Sequence, residues 1–139
     1  MNETFENAAL VTGRLLLAAI FLHEGAVLIF GYSAAAAYVE KLGVPAFTLV
    51  PTIILQLGAG LMLVCGWQTR WAALALGLFC ISTAFLAHTN FASQNELLHF
   101  EKDLAIAGGM FGLAAHGAGA WTLGRLLAVR GARAPLTPA

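Results

Sequence analysis

The sequence predicts an all-α integral membrane protein, an antiparallel up-down four-helix bundle with an interfacial segment between helices one and two. Three observations predict it. Of the 139 residues, 60% are apolar and only 10% are charged, whereas a soluble domain carries about 25% charged side chains. An exterior with so little polarity is stable against hydrocarbon and not against water. Apolar runs recur at 8–30, 47–66, 71–88 and 103–123, each near the roughly 20 residues that carry a helix across a bilayer. The stretches between them are short, so residues 1–139 form a single membrane domain, with 124–139 as a tail.

The first run is interrupted by Thr12, Arg14, His23 and Glu24. Arg14 lies one turn into the helix, where a long side chain can snorkel to the interface. His23 and Glu24 lie about 9–11 Å from the Phe30 end at 1.5 Å per residue, too deep for that explanation. The start of the chain has Glu3 and Glu6 and no Lys or Arg. It therefore lacks the positive flank of a cleavable signal peptide, and the first run is expected to stay in the protein.

Residues 31–45 read as a partly helical connection along the interface, ending in Gly43-Val44-Pro45. In the second run Pro51 falls in the first turn, where its missing N–H costs little, and Gln56 is the one strongly polar side chain. Trp67 to Arg70 is so short a turn that the second and third helices must be antiparallel neighbours. The stretch from His88 to Glu101 is the most polar in the chain and reads as the outer connection. Gly108 and Gly112 form a GxxxG in the fourth run, and with Gly58, Gly60, Gly77 and Gly109 they suit close packing within the bundle. The same motif leaves a homodimer open.

Orientation follows from Lys and Arg near the span ends. Arg14, Arg70, Arg125, Arg130 and Arg133 share the side of both termini, against Lys41 and Lys102 on the other. Both termini are therefore expected in the cytoplasm of a bacterial inner (plasma) membrane protein, with Trp67, Trp71 and Trp121 as the aromatic belt on that side.

Formal net charge is zero, which excludes the basic field of a nucleic-acid binder. Cys65 and Cys80 make no CxxC pair and read as buried small hydrophobes. The histidines (His23, His88, His99 and His116) form no HExxH and no i, i+4 pair, so no metal site is expected. Bis-histidine haem would need two of them at matching depth and is disfavoured. Nucleophile and phosphate-loop signatures are absent from the sequence.

What remains is a set of polar residues gathered by depth. His23, Glu24, Gln56, His88, Lys102 and Asp103 all fall in the outer half of the bundle and form the candidate ligand-binding pocket. A buried carboxylate needs a partner, and Lys102 is the candidate for Glu24. Such a pair either fixes helix register or belongs to a site that binds a head group or relays protons. Lys102, Ala105, Gly109, Gly112 and His116 share one face of the last helix and read as a packing seam with a polar residue at each end.

Certain residues also carry a family likeness. Gly13-Arg14-Leu15-Leu16-Leu17 leads into Phe21-Leu22, and Gly43-Val44-Pro45 precedes a helix that ends Cys65-Gly66-Trp67-Gln68-Thr69-Arg70. His88 closes the third helix, and Phe100-Glu101-Lys102-Asp103-Leu104-Ala105 comes before Gly108-Gly109. This order resembles the DoxX family of small four-helix bacterial membrane proteins over about residues 10–125. The resemblance implies a redox-associated subunit of a quinone-linked oxidoreductase, with quinone as the candidate cofactor and a redox protein as partner. Arg14, Arg70, His88, Lys102 and Asp103 carry over by position. Some members are subunits of thiosulfate:quinone oxidoreductases; Gly25 is followed by Ala26-Val27-Leu28-Ile29-Phe30, where family members often have a lysine, a departure that bears on the transfer of thiosulfate chemistry. The expected function is accordingly a quinone or small-anion pocket, with a non-catalytic membrane anchor or assembly factor as the alternative.

Overall fold

The computed structural model describes residues 2–126. Most of the expected tail at 124–139, with Arg130 and Arg133, lies outside the described residues. Among those described, all regular structure is helical. Five α-helices follow in order: α1 (Glu3–Phe30), α2 (Tyr32–Lys41), α3 (Leu49–Cys65), α4 (Thr69–Ala87) and α5 (Gln94–His116), with a 3₁₀ turn at Ala46–Thr48 leading into α3. Three stretches are long and apolar enough to cross a membrane: Glu3–Phe30, Ala46–Cys65 and Thr69–Ala87.

Local sequence explains the ends. Asn2 caps α1, its side-chain oxygen accepting from the Thr4 N–H at 3.1 Å, and Glu3 and Glu6 complement the positive end of the helix dipole. α3 stops at Gly66, whose φ of 69° is left-handed, and Gln68 follows at φ 47°. These two left-handed residues reverse the chain between α3 and α4 in a few residues.

The fourth apolar run behaves differently from the expectation over 103–123. Its helix starts at Gln94, inside the stretch expected to be a connection, and stops at His116. Residues 94–107 contain neither Gly nor Pro and are rich in good helix formers. Hydropathy marks them as polar, but polarity does not prevent helix formation. At the other end Gly117 (φ 82°) and Gly119 (φ 72°) turn the chain away.

The core joins Ala18 and Phe21 of α1, Ala59 and Leu63 of α3, Ala72, Ala73, Leu76 and Cys80 of α4, and Ala107, Met110 and Leu113 of α5. α4 packs most extensively on α5, and α1 on α3. Cys80 is buried, as its apolar surroundings suggested, and Cys65 is half-buried. Glycine sets two of the close approaches. A Cβ on Gly77 would lie 2.9 Å from the Phe111 ring, and one on Gly60 would lie 3.0 Å from Leu22 Cδ2. Gly58, Gly108 and Gly112 have nothing within 4 Å of such an atom. Among the described residues, the GxxxG pair of α5 therefore does not serve packing within the chain. α5 turns Ala107, Met110 and Leu113 inward, which points positions 108 and 112 outward. Gly77→Leu is expected to lower stability by about 1–3 kcal/mol through overpacking, and Gly108→Leu to change it by less than about 0.5 kcal/mol. Unfolding midpoints of the two variants in the same detergent give the comparison.

Arg14 does not snorkel. It is 3% exposed, with Nη1 donating to the Ala118 carbonyl at 2.8 Å and Nη2 to the Trp121 carbonyl at 3.1 Å. The Ala120 N–H donates to Asn7 Oδ1 at 2.7 Å beside it. The turn after α5 is thus tied to the first half of α1. Gly66 is needed here as well, since a Cβ there would lie 2.8 Å from Arg14 Nη1.

Candidate functional site

At the opposite end from this clamp, all five helices border a cavity of about 580 Å³. Glu24 and Phe21 come from α1, Tyr38 from α2, Gln56 from α3, Cys80 and Thr83 from α4, and Glu96, His99, Lys102 and Asp103 from α5. His88, the residue that ends α4, completes the polar wall.

Five of the six expected residues therefore meet: Glu24, Gln56, His88, Lys102 and Asp103. His23 does not line the cavity and is exposed. α1 buries Arg14, Ala18, Phe21 and Gly25. At 100° per residue, position 24 flanks that stripe and position 23 lies behind it.

The polar groups have defined partners. Thr83 Oγ1 lies 3.0 Å from Asp103 Oδ2 and donates to it, joining α4 to α5. His88 Nδ1 lies 2.8 Å from Glu96 Oε2, and the His88 and His99 rings stack with centroids 5.1 Å apart at 21°. Among the described residues, His88–Glu96 is the acid–base pair within 4.0 Å. Glu24 and Lys102 border the same cavity without closing the expected ion pair. Gln56 is 6% exposed, and its Oε1 is buried with no hydrogen-bond partner. A buried amide oxygen without a donor is unfavourable by about 1–3 kcal/mol, and Gln56 is one of the residues lining the cavity.

Thr83, Glu96, His99 and Tyr38 were missed as site residues. For three of them a signal existed. Glu96, His99 and Asp103 are spaced three and four apart, which places them on one face if the polar stretch is read as helix. Thr83 stands three residues after Cys80, on the buried side of α4. Tyr38 had no comparable signal, because a short flanking helix can pack in many ways.

The DoxX family model matches residues 9–89, from early α1 to just past α4. The inner membrane protein YqjF of Escherichia coli (strain K12) is 40% identical over 125 residues, covering 90% of this chain and 96% of that protein. The inner membrane protein YphA of the same organism is 27% identical over 123 residues, covering 84% of this chain and 88% of that protein. No solved structure matches.

Proposed function

The chain belongs to the DoxX family, and on that premise we propose that it is a bacterial inner-membrane protein whose outer-half cavity binds the head group of a membrane-soluble quinone. In this reading α1, α3, α4 and α5 cross the bilayer as an up-down bundle, α2 lies along the outer interface, and both termini are cytoplasmic. Two inner-membrane relatives of nearly the same span support the location. The exposed Trp67, Trp71 and Trp121 support the placement of one interface, where such rings settle.

The observation that carries the ligand reading is the buried, unpartnered Gln56 Oε1 beside a cavity of about 580 Å³. A ligand pocket joins apolar walls to a few convergent polar groups. Phe21, Phe79, Ile20 and Ile106 supply the former. The Gln56 amide suits both redox states of the head group, because its Nε2 donates to a quinone carbonyl and its Oε1 accepts from a quinol hydroxyl. Lys102 and His99 add further donors. Charge supports the quinone over the small-anion version, because Glu24, Glu96 and Asp103 oppose the single ammonium of Lys102 along the wall. A redox partner protein would exchange electrons with the bound quinone.

The test is heating the purified protein with and without ubiquinone-1. A quinone-dependent rise in the unfolding midpoint is expected, reduced in Lys102→Met and Glu24→Gln. No rise in the wild type, with both variants behaving alike, would sink the quinone reading and leave the anchor or assembly role. In that case loss of partner capture on scrambling residues 92–96 becomes the decisive measurement.

A further inference from the structure

We propose a second ligand site at the other end of the bundle: a groove between α1 and α5 that seats one acyl chain of an anionic phospholipid, with its phosphate held by Arg14 and His116. It is independent of the quinone reading and shares no residue with that cavity.

Arg14 supplies the first observation. It is 97% buried, as its 3% exposure requires, yet among the described residues no carboxylate stands within 4.0 Å of it. A guanidinium has five N–H donors. The Ala118 and Trp121 carbonyls take two of them, and Nε is buried without a partner. A buried cation bound only by neutral carbonyls retains its full charge, and an anion is the group that completes it.

The second observation is the shape beside it. Gly13 and Arg14 of α1 and Gly109, Gly112, Leu113 and His116 of α5 border an open groove of about 250 Å³. α1 and α5 meet only sparsely along it. Among the described residues, nothing lies within 4 Å of a Cβ added at Gly13 or Gly112, and at Gly109 only the Leu17 methyls approach, at 3.5 Å. The floor is apolar, which suits an acyl chain and not a free ion. His116 Nδ1 donates to the Gly112 carbonyl at 2.8 Å, so Nε2 donates to a phosphate oxygen when the ring is an imidazolium.

Depth and charge agree. One of Arg14's acceptors is the carbonyl of Trp121, whose exposed ring marks the level of the lipid head groups. Arg70 approaches the same corner, its Nε 3.2 Å from a Cβ built on Gly117. The acids at this end, Glu3 and Glu6, sit on the first turn of α1 and are exposed. Phosphates of anionic lipids complement such a corner, whereas zwitterionic ones carry their own counter-charge.

The experiment is native mass spectrometry of the delipidated full chain titrated with dioleoylphosphatidylglycerol or dioleoylphosphatidylcholine, each with and without inorganic phosphate. One phosphatidylglycerol per chain is expected to bind at least about tenfold more tightly than phosphatidylcholine. Gly112→Leu is expected to weaken it by a similar factor, because it fills the groove. It has open space around it, so this variant folds even if Arg14→Gln does not. Equal binding of the two lipids overturns the proposal, as does wild-type affinity in Gly112→Leu. Full displacement by millimolar phosphate would also overturn it, since the site would then hold an anion without its chain. Gln56→Leu is expected to leave the lipid titration unchanged.

Discussion

Arg14→Leu is expected to destabilise the folded chain by about 3–5 kcal/mol. The argument starts from position. Two carbonyls, Ala118 and Trp121, face α1 because Gly117 and Gly119 turn the chain there. Each is satisfied by a charged donor, and hydrogen bonds to charged groups contribute about 1.5–3 kcal/mol. Leucine removes both donors and leaves the acceptors facing an apolar side chain. Arg14→Lys is expected to fall between, because an ammonium is a point charge and does not bridge two carbonyls as a planar guanidinium does. Denaturation of the three proteins in one detergent checks the order. An Arg14→Leu midpoint equal to that of the wild type would mean that Arg14 is an interfacial residue, as its place in the sequence suggested.

That contrast shows where the sequence was legible. Hydropathy located α1, α3 and α4 to within a few residues, because their lengths and apolarity answer to the bilayer alone. It placed Glu24, Gln56, His88, Lys102 and Asp103 at one depth, and the helices bring those five to one cavity. It misplaced α5, since residues 94–103 are helical for reasons of propensity while being too polar for a hydropathy window. Partners were the least legible. Glu24 and Lys102 seemed a pair because both are charged and near in depth. Which charge meets which depends on helix rotation, and the close contacts formed instead are His88–Glu96 and Thr83–Asp103. The glycines divided for the same reason. Gly60 and Gly77 face a neighbouring helix, and Gly108 and Gly112 face outward.

Gln56→Leu is expected to have effects of opposite sign on stability and on binding. In most cores, replacing a buried amide breaks hydrogen bonds and destabilises. Here Oε1 is buried and unpartnered, so the empty protein carries the desolvation of that group with nothing in return. Leucine has a similar shape and no polar atom, and the ligand-free variant is expected to be more stable by about 1 kcal/mol. On the quinone reading, the same change removes the donor and the acceptor offered to the head group. Ubiquinone-1 binding should then weaken at least tenfold, which is about 1.4 kcal/mol. A side chain kept for fold alone does not produce this combination, because its removal lowers stability and leaves binding to follow. Calorimetric midpoints with and without ubiquinone-1, for wild type and variant, give both quantities. A destabilised variant with an unaltered ubiquinone-1 response would make Gln56 a structural residue and remove it from the site. A stabilised variant that no longer responds would identify the amide as a group held unsatisfied for its ligand.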